Sequence, residues 1–279
     1  KQQDGVHAEF IMVDDQSTDN TLQVLEEATI NDTRFKILRS TGAGKKAALA
    51  TGIAVATGSI IATTDADCRV QPQWLCTLTR PLHGADVNFV FGLVSIRQTQ
   101  SFFSHLQAVE FCSLAGVGAA TAAWHKPTMC NGANLAFKKN IFNEVGGYSG
   151  NDHRASGDDV YLMHKIAQLH PCSVHIVTDD DAQVVTEPIS TLREFIHQRV
   201  RWAAKWRRHR DVRTPATALA VVCFHGMVLS LFVLVPAGKM QAATALALLL
   251  SKASAEYVFL YAVSRKLKVK NFFVPFLRL

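Results

Sequence analysis

The stretch IIATTDAD, from Ile60 to Asp67, decides the fold prediction, because an apolar β-type run ends there in two carboxylates one residue apart. If the strand continues in extended form, Asp65 and Asp67 point to the same side of it. Two carboxylates that face the same way repel each other unless a cation lies between them. Their oxygens suit Mg²⁺ or Mn²⁺ that already carries a diphosphate. The alternative is a strand-terminal Asp turn in which one carboxylate caps the next helix.

Strands and helices alternate before this stretch. The predicted segments are a strand at Glu9–Val13, a helix at Thr21–Ala28, a strand at Arg34–Leu38, a helix at Lys46–Ala56 and then the IIATTDAD strand. Such alternation within about 60 residues predicts a parallel sheet with crossover helices. Ligands bind at the carboxyl ends of the strands in such sheets, which is where Asp14 and Asp15 fall together with Asp65 and Asp67.

The segment Ser40–Lys46 (STGAGKK) only partly resembles a phosphate-binding loop. Arg39 stands at the leading glycine position, and Lys46 stands where Ser or Thr is required, so the pattern excludes a P-loop ATPase. Lys45 could still reach a diphosphate, and the alternative is a solvated loop lysine.

The middle of the chain adds a strand, a long helix and a second acidic pair. Val87–Ile96 is predicted as one strand, and Phe102–Ala123 as an amphipathic helix at a membrane interface, interrupted by Glu110. In SGDDVYL, Asp158 and Asp159 begin a helix. Helix N-capping with complementation of the helix dipole is the alternative explanation of that pair.

A later helix carries QRVRW, in which Gln198, Arg201 and Trp202 are spaced i, i+3 and i+4 and so share one face. An arginine holds phosphate oxygens in bidentate fashion, and an indole offers a flat apolar surface to a sugar ring. The alternative is an interfacial helix with Trp in the aromatic belt and Arg on lipid phosphates.

Two apolar segments, Ala216–Ala237 and Met240–Val263, predict a transmembrane hairpin, since about 20 apolar residues cross a bilayer core. Lys252 and Glu256 in the second segment are spaced i, i+4 and could pair. Twelve of the 29 Lys and Arg residues lie in residues 193–213 and 265–270, so the remainder is mildly acidic. The basicity is therefore juxtamembrane and places both ends of the hairpin on the cytoplasmic side, and it does not predict nucleic-acid binding.

The six cysteines form no CxxC pair and no secretory signal precedes them, which predicts reduced cytosolic thiols and no zinc site. The predicted domains are a cytosolic catalytic domain at 1–192, an interfacial segment at 193–214, two transmembrane helices at 215–263 and a basic, apolar tail at 264–279.

In this order, VDDQSTD, TDADC, SGDD and QRVRW followed by a membrane hairpin resemble the membrane-bound inverting family-2 glycosyltransferases. That group includes the synthases of cellulose, chitin, hyaluronan and poly-N-acetylglucosamine. The resemblance implies an α/β GT-A fold, Rossmann-like, with a mixed but mainly parallel sheet. It also implies a multi-pass membrane protein of the bacterial inner membrane type, with its catalytic domain in the cytoplasm.

The resemblance also implies residue roles. The general base would be Asp159, and the nucleotide-sugar would be bound by Asp14, Asp15, Lys45, Asp65, Asp67 and Arg201. Asp67 and Asp65 would hold Mg²⁺ or Mn²⁺, and Asn134, Asp158, Gln198 and Trp202 would lie at the acceptor or channel mouth. The implied reaction moves a sugar from a nucleotide-sugar, a UDP-sugar first of all, to a glycan or lipid-linked acceptor at the lipid bilayer.

The sequence departs from the family pattern in three ways. The family's first strand is absent, which predicts a fragment; Asp158 replaces the usual Glu; and the Cys-Gly-Ser acceptor motif of cellulose synthases is missing. A processive β-glycan synthase is the first prediction, and a non-processive transferase acting on a lipid-linked acceptor is the alternative. A DxD phosphatase is disfavoured because Arg69 fills the position where its motif requires Thr or Val. An inactive membrane scaffold is the remaining alternative.

Overall fold

The structure, a computed structural model, describes residues 3, 5–150, 157–206 and 213–270. The chain forms two compact units. The first contains Lys1–Val94 and Thr121–Val185, and the second contains Ser95–Ala120 and Thr186–Leu279. The predicted domain at 1–192 includes the whole long helix after residue 101, whereas in the structure most of this helix groups with the later helices.

The strands are β1 (Phe10–Asp14), β2 (Phe35–Arg39), β3 (Ile60–Thr63), β4 (Cys68–Val70), β5 (Phe89–Gly92), β6 (Val94–Ile96), β7 (Leu135–Lys138), β8 (Val174–Val177) and β9 (Val184–Thr186). The helices are α1 (Thr21–Thr29), α2 (Lys45–Val55), α3 (Trp74–Thr79), α4 (Phe102–Ala123), α5 (Lys139–Glu144), α6 (Asp158–Leu169), α7 (Leu192–Trp206), α8 (Arg213–Leu234) and α9 (Ala242–Lys266). Two 3₁₀ helices lie at Arg80–His83 and Asp180–Ala182.

Within the described residues, the strands form three separate sheets rather than one. β1 and β2 form a parallel pair, the second sheet has the order β3-β7-β5-β8, and the third has the order β4-β9-β6. In the second sheet, β7 runs antiparallel to both β3 and β5, and β5 and β8 are parallel. The prediction of a mainly parallel sheet is therefore wrong for this sheet, because β7 returns between two strands that are distant from it in sequence.

The strand predicted at Val87–Ile96 is in fact two strands in different sheets. The chain changes partners at Leu93, whose carbonyl accepts hydrogen bonds from the Asn134 side chain at 2.8 Å and from the Val184 N–H at 3.1 Å. An apolar run does not reveal this change, because both strands are buried throughout.

The core of the first unit lies around β5 and β7, where Phe89 and Phe137 are fully buried and their rings stack 6.3 Å apart. The ring of Phe142 on α5 continues the stack 5.3 Å from Phe137. Helix α6 adds Leu162, Met163 and Ile166, all fully buried. Because α6 buries this apolar face against the core, the acidic residues at its first turn are held in a fixed place.

The second unit is helical. The predicted first span lies in α8 and the second in α9. Among the described residues, α4 and α9 are long and apolar enough to cross a membrane. The apolar part of α8, Leu219–Leu234, is shorter. Length and composition alone support no more than that. The apolar window of α9 is unburied, whereas that of α4 is partly buried.

Helix α4 contacts other helices of the second unit closely. A Cβ added at Gly116 would lie 2.5 Å from the Phe259 ring of α9, so only glycine permits this approach. The predicted pair in α9 is present, with Lys252 Nζ 2.6 Å from Glu256 Oε2. The predicted interfacial position of α4 stays a prediction.

Glu9, just before β1, joins three segments of the first unit. Its Oε1 accepts hydrogen bonds from the Thr57 N–H at 2.5 Å, the Thr57 hydroxyl at 2.7 Å and the Gly58 N–H at 3.1 Å. Its Oε2 lies 2.8 Å from Lys36 Nζ. The hydrogen bond from Lys36, followed by those from Thr57 and Gly58, lowers the pKa of Glu9 from 4.5 to about 2.

We expect Glu9→Gln to lower the melting temperature at neutral pH and to lose this effect in acid. A folded-state pKa that is lowered stabilises fully above the ordinary pKa of 4.5, and that contribution disappears as the pH falls through about 2. Melting curves of both proteins across this range test it, with the exposed Glu26→Gln on α1 as the control. A difference in melting temperature that stays constant with pH would contradict the assignment.

Candidate active site

The two carboxylates after β3 lie in a turn. β3 ends at Thr63, and the N–H of Cys68 donates to the carbonyl of Asp65 at 3.1 Å, which leads the chain into β4. The expected extended continuation is therefore wrong, and so is the alternative of a helix cap, because a strand follows. Asp65 is half-buried and Asp67 is exposed.

The start of α2 gathers acidic side chains from three different elements. The Gly44 N–H donates to Asp15 Oδ1 at 2.9 Å, Lys45 Nζ pairs with Asp65 Oδ1, and Lys46 Nζ lies 3.2 Å from Asp158 Oδ1. Two lysines at the first turn are unfavourable for a helix, whose N-terminus already carries a partial positive charge. The surrounding carboxylates offset this unfavourable charge. The structure thus brings together Asp15, Lys45, Asp65 and Asp158, which the sequence motifs had only listed in order.

The adjacent residues Asp14 and Asp15 have different environments. Asp14 is buried, and its Oδ1 accepts a hydrogen bond from the Ser17 N–H at 3.2 Å. Its Oδ2 is also buried, and no hydrogen bond reaches it from the described residues. Asp15 is exposed. Buried carboxylate oxygens that accept no hydrogen bond are rare in proteins. A donor on a bound ligand would supply that bond, which agrees with the predicted role of Asp14 in binding the nucleotide-sugar.

The backbone of Gly132 connects the strand of the TDADC motif to the predicted base. The Thr63 hydroxyl at the end of β3 donates to the Gly132 carbonyl at 3.0 Å, and the Gly132 N–H donates to Asp159 Oδ2 at 2.9 Å. A Cβ added at Gly132 would lie 3.3 Å from that same oxygen, so glycine permits the close approach. One oxygen of the half-buried Asp159 is thereby fixed, and the other oxygen is not used in this contact.

Asp158 and Asp159 occupy the first turn of α6, and the N-cap position is Gly157. Asp158 is buried. Burial, followed by the charges of Asp158 and Asp159, raises the pKa of the Tyr148 hydroxyl. The two residues therefore differ in use: Asp158 pairs with a lysine, and Asp159 is held by a backbone N–H.

Asn134, predicted at the acceptor mouth, is fully buried. Its Oδ1 accepts the indole N–H of Trp74 at 2.9 Å, and its Nδ2 donates to the carbonyls of Leu93 and Ala182, each at 2.8 Å. These three bonds occupy the amide within the fold, so the contacts of Asn134 give it a structural task and offer no support for an acceptor role.

The three predicted residues of QRVRW lie in the second unit, on α7. Arg201 is exposed, Gln198 is half-buried and accepts a hydrogen bond from Arg199, and Trp202 is half-buried with its ring 6.1 Å from that of Phe111. The Trp202 ring thus belongs to the helix face that is predicted to bind the ligand, and it also packs against α4.

The acidic turn after β3 fits Mg²⁺ or Mn²⁺ on donor chemistry. No group of three or more His, Cys, Asp or Glu side chains with metal-site geometry occurs in the part of the chain that the structure describes. Mg²⁺ in nucleotide sites is commonly held by one or two carboxylates, with substrate phosphates and water completing the shell. Asp65 and Asp67 match that smaller donor set, and the pairing of Lys45 with Asp65 shows that a cation is already favoured there.

Sequence reasoning missed the roles of Lys46, Gly132 and Arg199. Each acts through a partner that is distant in sequence, 27 residues away for the bond from Gly132 to Asp159 and 89 for the bond from Arg199 to Glu110. The one available signal was a pair of lysines at the start of a helix, which is electrostatically misplaced unless acidic partners lie nearby.

The description "Glycosyl transferase family 2" applies to the family model that matches residues 1–155, more than half of the chain. The chain therefore belongs to glycosyl transferase family 2. This confirms the predicted enzyme class, a glycosyltransferase. A GT-A-like α/β fold with mixed sheets agrees with that membership.

Curated relatives agree with the family. The chain is 26% identical over 162 residues to glycosyltransferase AglE of Haloferax volcanii, which covers 55% of this chain and 49% of AglE. It is 27% identical over 174 residues to glycosyltransferase GlyG of Streptococcus pneumoniae, covering 58% and 56%. A third match, 31% identical over 120 residues, is a glucosyl-dolichyl phosphate glucuronosyltransferase of Haloferax volcanii, covering 41% and 37%. The chain thus spans about half the length, or less, of the curated relatives that it matches.

Among solved structures, the mannosyltransferase PcManGT of Pyrobaculum calidifontis, in complex with GDP-Man and Mn²⁺, is similar with a TM-score of 0.52 and 21% identity. The similarity covers 92% of this chain and 77% of that protein. At this identity the likeness concerns the fold alone.

We expect Lys46→Met to destabilise the first unit. Lys46 and Asp158 have side-chain exposures of only 17% and 5%, so removal of the lysine leaves a buried carboxylate without this counter-charge. Breaking one side of a buried pair costs about 3 to 5 kcal/mol of unfolding free energy. The double variant Lys46→Met with Asp158→Asn removes both charges and should recover more than half of the loss. Urea unfolding followed by circular dichroism measures both, and equal loss in the single and double variants would contradict the pairing.

Proposed function

We propose that this chain transfers a sugar from a nucleotide-sugar, a UDP-sugar first of all, to an acceptor hydroxyl at the cytosolic face of a membrane, with inversion at the anomeric carbon. The observation that carries the proposal is the placement of Asp159, whose carboxylate is fixed by the Gly132 N–H at 2.9 Å next to the strand that ends in the TDADC motif. Membership in glycosyl transferase family 2 supports the same chemistry.

On this proposal Asp159 is the general base. One of its oxygens is occupied by the Gly132 N–H, so the other oxygen takes the proton of the acceptor hydroxyl as that hydroxyl attacks the anomeric carbon. The bond to the nucleoside diphosphate breaks on the opposite side of the sugar. A single displacement of this kind inverts the configuration and gives a β-linked product from an α-linked donor.

The donor would be held by the acidic residues and the lysine around the start of α2. Asp14 offers its buried Oδ2 as a hydrogen-bond acceptor, and Lys45, now paired with Asp65, is positioned to exchange this carboxylate for a donor phosphate. Asp65 and Asp67 would hold Mg²⁺ or Mn²⁺, whose charge offsets that of the departing diphosphate. That Arg201, exposed on α7, binds phosphate in a bidentate contact stays a prediction.

A bilayer is the surface that α8 and α9 fit. Large apolar side chains are exposed along both helices, among them Val222, Phe232 and Val233 on α8, and Leu250 and Val258 on α9. So many exposed apolar residues on adjoining helices are unfavourable in water and favourable in lipid. We therefore propose that the two helices form a transmembrane hairpin, with the basic residues around it on the cytoplasmic side.

Two acceptor classes remain candidates. QRVRW on α7 favours a growing glycan and a processive synthase of polysaccharide. The similarity to a relative named for a dolichyl phosphate-linked sugar favours the addition of one sugar to a lipid-linked acceptor. Product length on a labelled donor separates them, since one gives a ladder of products and the other a single addition.

We expect Asp159→Asn to abolish transfer while leaving UDP binding within about twofold, because the amide keeps the bond from Gly132 but cannot accept a proton. Membranes carrying the protein are first screened with labelled UDP-glucose, UDP-N-acetylglucosamine and GDP-mannose. With the donor that is accepted, the transfer rate should fall by about 10²-fold or more. Asp181→Asn, at an exposed carboxylate of the first unit, is the control. Near-normal transfer by Asp159→Asn would remove Asp159 from the base role.

Transfer should also require a divalent cation. We expect EDTA to stop it and Mg²⁺ or Mn²⁺ to restore it, and we expect Asp67→Asn to raise the metal concentration required for half-maximal rate by about tenfold. Full transfer in the presence of the chelator would contradict the assignment of Asp65 and Asp67.

A further inference from the structure

Helix α4 carries one acidic side chain in an otherwise apolar and polar neutral sequence, and the predicted reaction makes no use of it. This residue, Glu110, forms a two-pronged pair with Arg199 on α7. Arg199 Nε donates to Glu110 Oε1 at 2.6 Å, and Arg199 Nη2 pairs with Glu110 Oε2. Parallel N–H···O contacts between guanidinium and carboxylate fix the orientation of the arginine as well as its position.

The same guanidinium contacts two of the three predicted ligand-binding side chains of QRVRW. Its carbon lies 4.4 Å from the ring centroid of Trp202 and 4.1 Å from that of Phe195, and its Nη1 donates to Gln198 Oε1. Phe195, Arg199 and Trp202 are spaced i, i+4 and i+7, so they follow one face of α7. The Arg199 guanidinium therefore lies against the rings of Phe195 and Trp202 and is also bonded to a carboxylate and an amide.

The burial of the pair makes it more than a surface contact. The side chains of Arg199 and Glu110 are 18% and 34% exposed, so solvent screens the charges only in part. Cation–π attraction also grows as the cation loses water, and the Trp face is the preferred aromatic partner. Loss of the carboxylate would leave Arg199 free to adopt other rotamers and to leave the indole.

We propose that Glu110 is a positioning residue of the QRVRW segment: through Arg199, it fixes the orientation in which Trp202 and Gln198 meet the acceptor. This inference rests on the proposed function, which gives QRVRW its ligand. It assigns α4 a part in the acceptor site that neither its length nor its apolar composition indicates.

A charge exchange distinguishes positioning from helix docking alone. The double variant Glu110→Arg with Arg199→Glu restores an ion pair between α4 and α7 but removes the guanidinium from the face of Trp202. If the pair only docks the helices, this variant recovers both stability and transfer. If Glu110 acts through Arg199 on Trp202, only stability recovers.

The indole environment is read directly on the full chain in detergent, without any substrate. The tryptophans are labelled with 5-fluorotryptophan, and the ¹⁹F resonance of Trp202 is identified by its absence in Trp202→Phe. We expect this resonance to shift in Glu110→Gln, in Arg199→Lys and in the charge exchange. Glu187→Gln is the matched control, because it breaks another carboxylate–guanidinium pair of the second unit, with Arg97 at 2.6 Å, and should leave the resonance in place.

Transfer is measured with the donor accepted in the screen. We expect Glu110→Gln to lower kcat by about tenfold while the KM for the donor stays within about twofold, because the change acts on acceptor orientation. An unshifted Trp202 resonance in Glu110→Gln, or transfer restored by the charge exchange, would overturn the inference. Failure of the unaltered protein to use any donor would contradict the proposed function instead, and the resonance would still decide the role of Glu110.

Discussion

Repulsion between carboxylates is the constraint on which the first unit depends. Asp15, Asp65 and Asp158 come from three elements, and the start of α2 meets all three with one N–H and two ammonium groups. Neither the two lysines nor the three carboxylates would be favourable alone. Lysines at a helix N-terminus interact unfavourably with the helix dipole, and clustered carboxylates repel each other. Together they fix the relative positions of the turn after β3 and the first turn of α6.

A single residue, Gly132, connects this part of the first unit to the predicted base. Gly132 accepts from Thr63 and donates to Asp159, so the strand before the acidic turn and the predicted base share one backbone link. The second unit uses a comparable device, in which the Arg199 side chain joins Glu110 to Trp202. In both cases the contacts of the predicted ligand-binding residue lead to a group that is distant in sequence, Gly132 for Asp159 and Glu110 for Trp202.

The order of elements was predictable, and the way in which the strands associate was not. The ends of α1 and α2 were predicted to within one residue, and α6 begins at Asp158 as predicted. β7, however, inserts antiparallel between β3 and β5 through pairing over more than 40 residues of sequence. The run Val87–Ile96 divides at Leu93 because Asn134 and Val184 bond to its carbonyl. A hydrophobic pattern indicates which segments are buried, but it does not indicate which strands pair with each other.

The sequence by itself determined the class of protein, because TDADC, SGDD and QRVRW are local patterns that resemble, in the same order, those of a known family. Only the tertiary structure decided how those residues are used. In the structure Asp14 is buried while Asp15 is exposed, Asn134 lies in the core, and Asp158 pairs with Lys46. It also held Asp159 on the N–H of Gly132. The physical reason is that burial and pairing of a charge depend on groups far away in the sequence, which no local pattern contains.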